Sequence, residues 1–143
     1  MTFSAKTEYG LVALIELAAV EAQGTPLQVG EICRRQQIPD RYLEQLLTSL
    51  RKAGILSSVR GPRGGFRLAR APGEITVAEV ITCLERGSQP ERQGDRSSAA
   101  FGAVTSLARQ LEQERSRLLN ATTLQQLLEE RDAREQPQQM FYI

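Results

Sequence analysis

The stretch Arg60-Gly61-Pro62-Arg63-Gly64-Gly65 constrains this chain more than any other. Four of its six residues are Gly or Pro, so no regular helix runs through it, and its two arginines keep it in water. Short strand-forming runs, Ile55–Val59 and Phe66–Ala69, flank it and predict a β-hairpin with a six-residue tip. Everything before the hairpin is helical in period. Within residues 4–22, Leu11, Leu14, Ile15 and Ala18 recur at i, i+3, i+4 and i+7, and Gly24-Thr25-Pro26 ends the helix. A short helix around Val29–Gln36 follows, broken by Ile38-Pro39-Asp40. Asp40 is placed to cap a third helix with Tyr42, Leu43, Leu46, Leu47 and Leu50 as its buried stripe, and Ala53-Gly54 closes it. Short helix, amphipathic helix, basic hairpin: that order predicts a mainly α fold with a small β-hairpin wing, a winged helix-turn-helix.

Beyond the hairpin, Thr76 caps a helix reaching Leu84, with Val77, Val80, Ile81 and Leu84 on one face. Residues 86–98 contain no large apolar side chain and read as an exposed loop. A long helix from Ser98 to Leu119 places Ala100, Val104, Leu107, Leu111 and Leu118 at spacings of 4, 3, 4 and 7, with Glu114 interrupting the seam. The pattern is close to a heptad, with Val104, Leu107, Leu111 and Leu118 on one apolar seam, though it spans only about three heptads. Thr122-Thr123-Leu124-Gln125 restarts a helix that ends near Arg131. The expected organisation is a DNA-binding domain at 1–85, an exposed loop at 86–97, dimerisation helices at 98–131 and a tail at 132–143. In that tail a polar stretch, residues 131–139, leads to Met140-Phe141-Tyr142-Ile143. Four large apolar residues together should be buried, either against the protein's own dimer or in a partner's pocket.

Composition narrows the chemistry. With no histidine and two cysteines in 143 residues, imidazole catalysis is excluded and a four-coordinate zinc site cannot be closed from N and S ligands. No run is long and apolar enough to cross a membrane, and the expectation is a cytoplasmic protein that is not an enzyme. The net charge of +1 hides an asymmetry: residues 1–70 carry ten basic and six acidic side chains, residues 71–143 eight and eleven. A basic front half fits a polyanion partner. The outer face of the third helix offers Arg41, Glu44, Gln45, Thr48, Arg51 and Lys52. Gln can pair with adenine, Glu can accept from cytosine N4, and Arg and Lys can hold guanine or phosphate. The hairpin adds arginines suited to a narrow, negative minor groove, and glycines that let the backbone turn sharply and approach phosphate.

Three stretches carry a resemblance to a known family: Tyr42-Leu43-Glu44-Gln45-Leu46, Leu50-Arg51-Lys52-Ala53-Gly54, and Ser58-Val59-Arg60-Gly61-Pro62-Arg63-Gly64-Gly65-Phe66. With Ser4–Gly10 and Ile75–Ile81, they resemble the Rrf-two family of bacterial winged-helix transcription regulators over essentially the whole chain. The resemblance implies a homodimer held by the long helix, with Val104, Leu107, Leu111 and Leu118 as the dimer contacts, on a pseudo-palindromic double-stranded DNA operator. It places Arg41, Glu44 and Gln45 at base edges and Arg60 in the minor groove. The full DNA-binding set expected is Lys6, Arg41, Tyr42, Glu44, Gln45, Thr48, Arg51, Lys52, Arg60, Gly61, Pro62, Arg63, Gly64 and Gly65.

Many members of this family carry an iron–sulfur cluster on three cysteines in the loop before the dimerisation helix. Here residues 86–98 contain no cysteine, so no cluster and no other metal is expected. Cys33 and Cys83 fall on or near apolar helix faces and read as small core residues, a thiol sensor at Cys33 being the alternative. Within the family, the chain is similar to the cluster-free branch of cysteine-metabolism repressors of Gram-positive bacteria, which share Thr122-Thr123-Leu124 and the Met140–Ile143 ending. That likeness implies repression of sulfur-acquisition genes in complex with cysteine synthase (O-acetylserine sulfhydrylase), an enzyme known to capture a C-terminal isoleucine. Met140, Phe141, Tyr142 and Ile143 would then be the partner-binding residues. Two other readings stand beside it: a thiol-sensing regulator of another regulon, and an enzyme scaffold that does not bind DNA.

Overall fold

The computed structural model describes residues 3–85 and 93–136. Helix α1 (Ala5–Glu21) begins where Ser4 Oγ accepts the Thr7 N–H at 3.2 Å. Its burial is broader than the expected stripe. Leu11, Leu14 and Ala18 are buried as expected, but Ala13 and Leu17 are buried too, while Ile15 is only half-buried. The cause is position: α1 is packed on several sides by the elements that follow, so more than one face meets protein.

Helix α2 (Val29–Gln36) ends at Gln37, which takes a left-handed conformation at φ 55°. Helix α3 (Asp40–Lys52) follows after Ile38 and Pro39. Asp40 is its first residue and not its cap: Pro39 holds the cap position, and no side chain caps that end. Leu43, Leu46, Leu47 and Leu50 are buried on one face, as their spacing predicts. Tyr42 departs from the expected stripe. It is 36% exposed at the stripe's edge, its ring meeting Tyr9 edge-on at 5.6 Å.

Strands β1 (Leu56–Val59) and β2 (Gly65–Leu68) pair antiparallel, Leu56 opposite Leu68 and Val59 opposite Gly65. Because Gly65 belongs to the ladder, the tip is Arg60–Gly64, one residue shorter than expected. A 3-10 turn at Pro72–Glu74 leads to α4 (Val77–Leu84), which opens with a full capping box: Thr76 Oγ1 accepts from Glu79 N–H while Glu79 accepts from Thr76 N–H.

Helix α5 (Ala99–Ala121) then leaves the body; of its 23 residues only Leu119 is buried. It spans about 34 Å at 1.5 Å per residue. Helix α6 (Leu124–Glu135) starts on a second capping box, Thr123 with Gln126, and runs a turn beyond the Arg131 expected from sequence. The chain returns to the body between them. Val77 N–H donates to Thr122 O at 2.9 Å, Leu124 N–H to Ile75 O at 3.0 Å, and the Leu124 side chain is fully buried. The core therefore combines α1, α3 and α4 with the start of α6, through Leu14, Leu17, Leu43, Leu47, Leu84 and Leu124.

Candidate nucleic-acid interface

Burying one stripe of α3 turns the other outward. Arg41, Glu44, Gln45, Thr48, Ser49 and Lys52 line a shallow open depression, with Arg51 exposed beside it. Ser49 belongs to this surface although the sequence reading passed over it; its spacing of four from Gln45 was the available signal. Lys6, at the start of α1, comes to the same side of the molecule and shares a cleft with Ser49, Lys52 and Cys83.

The hairpin presents Arg60, Gly61, Pro62 and Arg63 to solvent. Its tip closes with Gly64 N–H donating to Gly61 O at 2.9 Å. Gly64 and Gly65 are not exposed in the same way, and their reason for being glycine is internal. A Cβ on Gly64 would lie 2.0 Å from Val59 O, and one on Gly65 2.2 Å from Leu27 O. Gly65 also sits at φ +153°. The close approach that needs glycine at these two positions is thus to the protein's own backbone. Leu27 exchanges main-chain hydrogen bonds with Phe66, at 2.9 and 2.7 Å, and Gln28 Nε2 donates to Pro62 O at 3.0 Å. Neither Leu27 nor Gln28 was legible as a wing residue, because the contact spans more than thirty positions.

Charge separates this face from the rest of the surface. Among the described residues, Lys6, Arg41, Arg51, Lys52, Arg60, Arg63 and Arg67 make no ion pair, and outside this set neither do Arg96, before α5, and Arg109 on it. By contrast Arg34, Arg35, Arg70, Arg115, Arg117, Arg131 and Arg134 each have a carboxylate within 4.0 Å. Arg35 bridges Glu16 of α1, at 3.1 Å, and Glu31 of α2, at 2.9 Å, fastening the helix that precedes α3. Cationic groups left without an internal partner on α3 and the hairpin form a ready polyanion surface.

The cysteines sit apart from each other's chemistry. Burial raises the Cys33 thiol to about 11, and the neighbouring Asp40 carboxylate pushes the same way, so at neutral pH the group is a thiol and not a nucleophilic thiolate. Cys83 is half-buried on α4 and donates to Ser49 O at 3.5 Å. Helix α5 exposes an apolar seam: Val104 is 65% exposed, Leu107 56%, Leu111 65% and Leu118 63%, with Phe101 alongside. Met140, Phe141, Tyr142 and Ile143, and residues 86–92 of the expected loop, lie outside the described residues; residues 93–98 are exposed as expected. No helix among the described residues is long and apolar enough to cross a membrane.

Comparison with known proteins gives this geometry a context. Residues 3–130 match the family model described as Rrf2, Iron-dependent Transcriptional regulator. A protein of Synechocystis sp. named as an HTH-type transcriptional regulator is 42% identical over 129 residues, 89% of this chain and 87% of that one. The HTH-type transcriptional regulator CymR of Bacillus subtilis is 35% identical over 143 residues, the full length of both. Its solved structure, titled as that of the global cysteine regulator, matches with a TM-score of 0.78 at 31% identity, over 90% of this chain and 97% of that one. A structure of IscR from T. potens matches with a TM-score of 0.75 at 33% identity, over 91% and 88%.

Proposed function

We propose a function from one premise: the chain belongs to the Rrf2 family of transcriptional regulators, which are not enzymes. It binds duplex DNA as a homodimer, with α3 in the major groove and the wing on the flanking minor groove. One observation carries this reading above the others: the basic residues of α3 and the wing are left without ion pairs, while those elsewhere are largely neutralised internally. In the groove, Gln45 suits adenine, Glu44 suits cytosine N4, and Arg41 suits guanine or phosphate. Arg60 suits the minor groove, and Lys6, Arg51, Lys52 and Arg63 suit phosphate. The exposed seam of α5 supplies the second copy's contact, since an apolar stripe of this length is unfavourable in water. Each protomer then reads one half-site of a pseudo-palindrome.

Gel shifts across a salt series test the DNA reading. Affinity should fall steeply with salt, and Lys52→Ala should lower the log–log slope by about two per dimer, one phosphate contact per protomer. Arg60→Ala should weaken binding by about 1–3 kcal/mol with an unchanged melting temperature. The absence of any salt-dependent complex would leave the DNA-free scaffold, and an Arg60→Ala protein that binds like the parent would remove the wing assignment.

The regulon we assign is cysteine and sulfur metabolism, by repression, with cysteine synthase as partner. Support comes from the full-length similarity to a regulator titled for cysteine and from the Met140–Ile143 segment. The donor set of this chain does not suit an iron–sulfur cluster: there are two cysteines and no histidine in all, and Cys33 is buried. The same burial, with the raised thiol, speaks against Cys33 as a redox sensor. In the mechanism we assign, free cysteine synthase captures the tail and the complex favours operator binding. O-acetylserine competes for that pocket and releases the repressor. The effector works only insofar as free and enzyme-bound repressor differ in DNA affinity. Removing residues 140–143 should abolish binding to cysteine synthase in calorimetry while the melting temperature stays unchanged; retained affinity would sink the tail assignment.

A further inference from the structure

We infer that Gln28 is a positioning residue for the wing, setting where Arg60 and Arg63 reach; the inference rests on the reading that the wing touches DNA. Different contacts hold the base and the tip of the hairpin. Its base is fixed twice, by the β1–β2 ladder up to Val59 opposite Gly65, and by the two main-chain bonds between Leu27 and Phe66. Its tip has less. The turn from Gly61 to Gly64 closes on itself through one internal bond, which does not by itself fix its direction relative to the body. Among the described residues, one hydrogen bond reaches the tip from outside the hairpin, Gln28 Nε2 donating to Pro62 O at 3.0 Å.

Gln28 sits at the cap position of α2, immediately before the helix-turn-helix unit. The bond therefore ties the wing tip to the same body that carries α3. Without it, the reach of Arg60 is set by a glycine-rich turn; with it, Arg60 and the base-reading face of α3 keep one relative placement. Fixing the wing before DNA arrives reduces the ordering cost of binding, which shows as affinity. Because Gln28 and the tip are exposed, the bond adds little to folding stability, so its effect separates cleanly from a structural one.

The test is a double-mutant cycle on a duplex selected from a random pool by the unaltered chain. Gln28→Met keeps the length of the side chain and removes the donor. It should weaken binding roughly three- to tenfold with an unchanged melting temperature. In an Arg60→Ala, Arg63→Ala background the same change should cost nothing further, because Gln28 acts through the wing. An undiminished loss in that background, or no loss in the parent, overturns the inference while leaving the wing assignment intact. Full binding by the Arg60→Ala, Arg63→Ala protein instead overturns the wing assignment, and this inference with it.

Discussion

Arginine is the commonest charged side chain on this surface, and its local surroundings divide it into two sets. Arg34 and Arg35 hold Glu31 within α2, and Arg35 also holds the buried Glu16 and so ties α2 to α1. Arg60 and Arg63 have no such neighbour and remain available. The acidic residues follow the same local logic. Glu85 gains a burial penalty, but the Ser4 N–H at 3.3 Å, the Thr7 hydroxyl at 3.0 Å and the Arg115 charge outweigh it and hold its carboxyl below the ordinary glutamate range. Glu79 is likewise lowered, burial being outweighed by Thr76 and Arg70. A carboxyl lowered in the folded state stabilises the fold above its unfolded value, and that contribution is lost as pH falls through the folded value. Acid melting curves of Glu85→Gln should therefore show a weaker loss of melting temperature below the glutamate range than the parent. Parallel curves would mean that the Ser4–Thr7–Glu85 contacts carry no net linkage.

At the scale of elements, the wing is the part most dependent on a neighbour. Two strands of four residues do not hold together well in water, and here the segment before α2 adds a third, minimal partner through Leu27 and Phe66. Gly65→Ala places a methyl against Leu27 O and should break that bridge. We expect a loss of about 1–3 kcal/mol in denaturant unfolding and weaker DNA binding together; an unaffected midpoint would show that the bridge yields without cost. Helix α6 depends on burial in a different way. Leu124 is its one fully enclosed side chain, its N–H bonded to Ile75 O, so Leu124→Ala should cost about 2–5 kcal/mol by leaving a cavity. A much smaller change in urea unfolding would mean that α6 is not part of the cooperative core.

For the molecule as a whole, the decisive feature is that α5 departs from the body and α6 comes back to it. An apolar seam about 21 Å long, from Val104 to Leu118, then stands beside a domain that needs none of it for its own core. Leu111→Glu should yield a folded monomer in sedimentation equilibrium, with DNA affinity reduced by far more than the loss of any one contact; a dimer that survives the change would place the interface elsewhere. Much of this was legible beforehand, for identifiable reasons. The helices, the hairpin, the Thr76 and Thr123 starts and the Leu stripe of α3 are local patterns, set by periodicity, caps and breakers within a few residues of one another. The basic and polar residues of the candidate DNA face were legible too, because burying one side of an amphipathic helix dictates what the other side shows. What local pattern could not convey is anything decided by packing between distant segments. That includes Tyr42 resting on Tyr9, α1 buried on more than one face, and Gly64 and Gly65 serving internal contacts. It includes the return of α6 to Ile75 and Val77, and Gln28 on the wing tip. The amino-acid order by itself determined which elements form and which faces they offer. Only the tertiary structure decided which faces meet, because those contacts join residues tens of positions apart and their energy exists only once the chain has closed around them.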